Sequence, residues 1–186
     1  MDPDEILLDT EASMEKGFEY MQHEFSAVRT GKASPALVEN IDVEAYGASM
    51  KLKQLALITT PEPRLLVIQP FDASTTRDIE KAIKESKIGI NPAVDGKIIR
   101  LPIPALSEER RKDLVKGIKQ MAEEARVRVR SARREGIDAI KKAHKDGSVT
   151  EDDLDTYEKE IQKLTDGFVK KIDDAFTSKE ADILKV

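Results

Sequence analysis

The sequence predicts an α+β protein of two domains, an antiparallel three-helix bundle carrying a small inserted α/β domain. Three observations predict it. Apolar residues recur at helical spacing over three long stretches, 7–28, 114–143 and 154–175. Between the first and second stretch the apolar period changes to two and turn residues interrupt it. The gap between the second and third is short, which forces those two helices antiparallel. The expected division is 1–30 with 105–186 for the bundle, and 31–104 for the insertion.

The first helix carries Leu7, Met14, Phe18, Met21, Phe25 and Val28 on one stripe. It is expected to end at Thr30-Gly31, because Gly takes a left-handed cap and Lys32-Ala33-Ser34-Pro35 does not easily prolong a helix. In the segment 40–46, Ile41, Val43 and Ala45 alternate with polar residues, as a half-buried strand requires, and Gly47 supplies the turn. Further strands are expected at 55–58 and 64–69. A short helix follows at 75–87, with Ser74 as its cap and Ile79, Ala82 and Ile83 as its buried face. Residues 88–96 read as a loop and 97–103 as the last strand. Ser107 then caps a helix that opens with Glu108 and Glu109 and runs to Lys145, about 55 Å at 1.5 Å per residue. Its seam is Leu114, Ile118, Met121, Ala125, Val129, Ala132, Gly136, Ala139 and Ala143. Asp146-Gly147-Ser148 breaks it, and Thr150 caps a third helix striped by Leu154, Tyr157, Ile161, Leu164, Phe168, Ile172 and Ala175. The insertion is thus reached by two crossings, with Thr30 and Gly31 at one and Pro102, Pro104 and Ala105 at the other as candidate hinge residues. Simple helix termination accounts for the same residues.

Composition narrows the chemistry. The chain has 186 residues, 39% of them hydrophobic and 36% charged, a charge content typical of long surface helices. It has no Cys, so disulfides, thiolate chemistry and Cys-based zinc sites are excluded. Its two histidines, His23 and His144, are too far apart in sequence to suggest a metal centre. Gly47, Gly89 and Gly96 fit neither a Walker nor a dinucleotide pattern. The adjacent acids Glu108-Glu109 and Asp152-Asp153 suit the first turns of helices. No nucleophile, base and orienting group come together, so no enzyme, cofactor or metal is expected. The opening residues Met1 to Glu5 are acidic where a signal or transit peptide is basic, and no apolar run is long enough to span a membrane. A cytoplasmic location without membrane attachment is the expectation.

The net charge of −5 conceals a strong asymmetry. Residues 126–145 carry eight Arg or Lys against only Glu135 and Asp138, a local +6. At 100° per residue, Arg126, Arg130 and Arg133 share one helix face, Arg134 lies at its edge, and Arg128 points elsewhere. Guanidinium forks one turn apart match phosphate oxygens, and Lys141, Lys142 and Lys145 extend the positive surface. A solvated helix face balanced by neighbouring acids is the alternative. Residue chemistry alone does not separate RNA from DNA as the polyanion. Arg29 is expected to end the first helix, where a cation is also favourable on dipole grounds. Arg110 and Arg111, near a helix N-terminus, are awkward there and call for a carboxylate or phosphate partner. Tyr46 and Phe71 stand near turns and suit either packing or stacking.

Several motifs occur in order along the chain: Arg29-Thr30-Gly31-Lys32-Ala33-Ser34-Pro35, Tyr46-Gly47, Gln54-Leu55-Ala56, Glu80-Lys81-Ala82-Ile83, Glu108-Glu109-Arg110-Arg111-Lys112, Val129-Arg130 with Arg133-Arg134, and Gln162-Lys163-Leu164-Thr165-Asp166. With these the chain resembles the ribosome recycling factor family of bacterial type over essentially its full length. The resemblance implies an L-shaped protein whose inserted domain is a β/α/β sandwich. It implies a non-catalytic factor that, with elongation factor G and the GTP that partner hydrolyses, splits the post-termination ribosome into subunits. The implied partners are the large ribosomal subunit with its rRNA and elongation factor G, with no DNA, and the implied state is a monomer. Arg130 and Arg133 match the family's rRNA-contacting arginines, and Arg110, Arg29, Arg126 and Arg134 are further candidates. Gly136 stands where the family more often has Ala, and is expected to soften the long helix by up to about 1 kcal/mol. A coiled-coil adaptor and a general nucleic-acid-binding protein are the rival readings.

Overall fold

The computed structural model describes residues 2–185. In chain order the elements are α1 (Pro3–Ala27), β1 (Asp42–Ala45), β2 (Ala48–Lys51), α2 (Leu52–Leu55), β3 (Ala56–Glu62), β4 (Leu65–Pro70), α3 (Thr76–Glu85), β5 (Ala93–Asp95), β6 (Ile98–Pro102), α4 (Glu108–Lys145) and α5 (Glu151–Leu184). The chain divides into two compact units, one taking the chain up to Thr30 and again from Glu108 onward, the other Gly31–Ser107. The second division falls three residues beyond the expected 104/105 boundary.

In the helical unit, α1, α4 and α5 pack pairwise against one another. The third helix starts as the sequence requires, with the Thr150 hydroxyl accepting from Asp153 N at 3.2 Å. Apolar side chains gather in two clusters. One holds Met14, Met21, Phe25, Ile118, Val129, Phe168 and Ile172, and the other Ile6, Ile140, Ala143, Val149 and Ile161. The larger side chains come mostly from α1 and α5, while α4 offers Ala122, Ala125 and Ala132 and so lets its neighbours approach closely. Between the clusters lie Thr10, Gly136 and Thr165, all buried. Both hydroxyls satisfy themselves on their own helices, Thr10 on Ile6 O at 2.7 Å and Thr165 on Ile161 O at 2.8 Å. A Cβ at Gly136 would overlap Thr10 Oγ1 and come within 2.9 Å of its Cγ2. Gly136 therefore makes room for a branched neighbour, a packing role that its lower helix propensity alone does not reveal. The buried register of α1 is Ile6, Thr10, Met14, Gly17, Met21 and Phe25, so Leu7, Phe18 and Val28 flank the seam and do not form it.

The first helix also ends earlier than expected. Val28 is already extended, with φ −80° and ψ 125°, so the segment from 28 to 34 holds neither helix nor strand. At the other end of α1, the Tyr157 hydroxyl donates to Asp4 Oδ1 at 2.6 Å. That hydrogen bond, then desolvation and the nearby carboxylates, push the phenol up from 10.0 to about 12. Because the folded-state pKa is raised, the contact stabilises the bundle fully below pH 10 and is lost as pH climbs towards 12. The difference in urea midpoint between the native chain and Tyr157→Phe is accordingly expected to shrink from about pH 9 to about pH 12. A difference constant over that range would show that the bond adds nothing.

The inserted unit has a two-stranded hairpin, β1–β2, and a four-stranded antiparallel sheet in the order β3-β4-β6-β5. Helix α3 touches both β1 and β6, and Ile79 and Ile83 are fully buried there together with Val43, Leu66, Ile68, Ile99 and Leu101. Each such side chain contributes about 1.5–3 kcal/mol on burial. The expected alternation holds in β1, where Val43 and Ala45 are buried. The hairpin turn has Tyr46 at φ 54° and Gly47 at φ 75°, and Ala45 pairs with Ala48 across it. Positive φ at both central positions is the turn geometry that matches strand twist, and only Gly47 adopts it without cost. The Tyr46 hydroxyl donates to Asp72 Oδ2 at 2.6 Å. Asp72, not Ser74, caps the turn leading into α3, accepting from Ser74 N at 3.0 Å. Pro102, expected at a hinge, is instead the last residue of β6 in register with Leu65, and Ile103 N still donates to Arg64 O at 2.8 Å. The irregular crossing starts at Pro104 and includes Ala105.

Candidate nucleic-acid interface

The arginines of 126–134 ride on one uninterrupted helix, and partners from α1, α4 and α5 sort them into different chemical states. Arg126 is turned inward: its Nε and Nη2 bind Asp173 Oδ1 at 2.9 and 2.7 Å, and Nη1 binds Glu123 Oε2 at 3.0 Å. Its side chain is only 19% exposed. Burial alone would lower its pKa, but the hydrogen bonds to Asp173 and Glu123 outweigh that and raise it. Through Asp173, Arg126 is a clamp between α4 and α5. A phosphate at Arg126 would have to displace two charged partners.

Arg130 is 57% exposed and meets only the second oxygen of Glu123, at 3.6 Å. Arg133 is half-buried, and its Nε donates to Gln162 Oε1 on α5 at 2.8 Å. Gln162 in turn donates through Nε2 to Asp166 Oδ1 at 2.9 Å. Arg134 is exposed and makes no hydrogen bond or ion pair among the described residues. Lys141 lies 3.9 Å from Glu158, close enough for a weak surface attraction. Arg128 points towards α1, its guanidinium 4.4 Å from the Tyr20 ring centroid. The bundle thus presents Arg130, Arg133 and Arg134 with at most one shared carboxylate among them.

The other candidates lie apart from this cluster. Arg29 is exposed, two residues past the end of α1, so the favourable helix-terminus placement expected for it does not occur. Arg110 is exposed in the first turn of α4. Residue reasoning missed Glu123 and Gln162. A signal for Glu123 was present, since it precedes Arg126 by three and Arg130 by seven and so falls on their face. Gln162 left no such signal, being 29 residues from Arg133 on another helix. Among the described residues there is no group of three or more His, Asp or Glu placed to hold a metal ion, and no helix long and apolar enough to cross a membrane.

A family model described as ribosome recycling factor matches residues 21–184. The ribosome-recycling factor of Akkermansia muciniphila is 58% identical over the whole of both chains, and that of Halalkalibacterium halodurans 50% identical over 98% of each. A solution structure of a ribosome recycling factor superposes with a TM-score of 0.76 at 40% identity, covering 100% of this chain and 99% of that one. A second similar structure, TM-score 0.64 and 44% identical over 99% of this chain and 100% of the other, is the Thermus thermophilus factor, described with Escherichia coli elongation factor G as bound to the E. coli post-termination complex.

Proposed function

The chain belongs to the ribosome recycling factor family, and from that premise we propose that it splits the post-termination ribosome into subunits together with elongation factor G. The GTP is hydrolysed by that partner. This chain is non-catalytic, and acts as a monomer in the cytoplasm by binding and transmitting force. What supports the RNA contact is that Arg130, Arg133 and Arg134 keep their charge on one face of α4 in a protein whose net charge is −5. Guanidinium groups one turn apart on a rigid helix can each engage a phosphate oxygen of large-subunit rRNA, giving position without reading base sequence. Arg29 and Arg110 are placed to add outlying contacts. The crossings near Thr30-Gly31 and Pro104-Ala105, free of helix and strand, serve as the joint between the units. A wedge driven by a GTPase needs such a joint, because a rigid single body would transmit only one fixed displacement.

The test is light scattering of post-termination ribosomes mixed with this protein, a matched elongation factor G and GTP. Scattering is expected to fall only when all three are present. Unchanged scattering in the complete mixture, with a translocase shown to work with an established recycling factor, would overturn the proposal.

A further inference from the structure

Three arginines of one helix face have three kinds of partner. Arg126 has two carboxylates, Arg130 shares one at 3.6 Å, and Arg133 is held by a neutral amide. The amide has a defined orientation. Gln162 Nε2 donates to Asp166 Oδ1, which only accepts, and Gln162 Oε1 accepts from Arg133 Nε, which only donates. Turning the amide over would set an N–H2 group against the guanidinium and an oxygen against the carboxylate, breaking both bonds.

We infer that Gln162 is a positioning residue for phosphate binding by Arg133, fixing the guanidinium through Nε without neutralising its charge, and that Asp166 one helical turn away sets the orientation of Gln162. The inference rests on the reading of this face as an RNA-contacting surface. Its physical content is that an arginine already fixed loses less freedom on binding, provided that whatever fixes it does not compete with the phosphate. A carboxylate at position 162 would fix Arg133 at least as firmly and would compete. An amide does the first and not the second. The Asp166 carboxylate, which supplies the orientation, is bonded to the far side of Gln162 and not to the guanidinium.

The decisive variant is the exchange Gln162→Glu with Asp166→Asn. It keeps the net charge. It also keeps both hydrogen bonds, since the amide introduced at position 166 can donate to the carboxylate introduced at position 162, and that carboxylate can accept from Arg133. Only the negative charge moves, one turn closer to Arg133. Binding to purified large ribosomal subunits is measured at several salt concentrations, with thermal unfolding as the check on folding. The exchange is expected to weaken binding by about tenfold and to reduce the slope of log affinity against log salt by about one, as loss of one phosphate contact does. Gln162→Ala is expected to weaken binding less and to leave the salt slope unchanged, because the charge survives and only its orientation is lost. A purely structural role predicts the reverse ranking, with the exchange close to native and Gln162→Ala destabilised. Native affinity and slope in the exchange, with Arg133→Ala still weakened, would overturn this inference and leave the proposed contact standing. Native affinity in Arg133→Ala would instead remove the proposed contact itself.

Discussion

Replacing Arg130 and Arg133 together by alanine is expected to lower affinity for the large ribosomal subunit by about a hundredfold near ~0.1 M salt, because each phosphate neutralised adds about 0.7–0.9 to the salt slope, close to one decade of affinity per contact at that concentration. Neither side chain holds the bundle together. Arg130 reaches only the far oxygen of Glu123, and Arg133 a half-buried amide whose oxygen is left near solvent once the arginine is gone. The unfolding temperature should therefore move little. Arg126→Ala is the contrasting case: it removes the bonds to Asp173 that join α4 to α5 and the bond to Glu123 within α4, at a stability cost of roughly 1–2 kcal/mol after allowance for solvent screening, with a small effect on binding. Equilibrium binding and thermal unfolding of the two variants side by side make the check. Loss of affinity in Arg126→Ala equal to that in the double variant would show that the inward-turned arginine contacts the ribosome after all.

Gly136→Ala should destabilise the helical unit, although alanine is the better helix former by about 1 kcal/mol. The added methyl would collide with Thr10, whose β-branched side chain is bound to Ile6 O and is restricted in its rotamers. Overpacking of this kind costs about 1–3 kcal/mol, which outweighs or cancels the gain in propensity and lowers the unfolding temperature by up to roughly 5–10 °C in a domain of this size. The same substitution made together with Thr10→Ala should recover most of the loss, because the methyl then fills the space the threonine leaves. A double-mutant cycle on the urea midpoint measures the coupling. Additive effects of the two substitutions would show that the helices do not meet at this level.

The limits of a local reading show in the α/β unit. Strand β1 and helix α3 were legible because their apolar residues alternate or repeat at helical spacing within one segment. Strands β2 and β5, by contrast, bury little: Ala48 and Ser49 are exposed, as are all three residues of β5. Such strands exist because a neighbour offers a hydrogen-bonding edge, Asp42–Ala45 for β2 and Ile98–Arg100 for β5, and an edge leaves no periodicity in the strand it recruits. In α1 the same limit has another form. Thr10 and Gly17 belong to the seam because of what faces them on α4, Gly136 and the Arg128 side chain respectively, and hydrophobicity alone passes over both.

The α+β class, the long helix from Glu108 to Lys145, the Thr150 cap and the clustering of arginines on that helix could all be read from the order of residues alone. So could the family, since the ordered motifs match along the chain. These are consequences of composition, spacing and capping, which act within a few residues. Which arginine is spent and which is available was settled by the packing of helices distant in sequence. Arg126 and Arg133 lie on the same helix face, yet one finds Asp173 and the other Gln162, 47 and 29 residues away on α5. The charge a guanidinium offers to a ligand depends on the group across the helix interface, and that neighbour is fixed by packing.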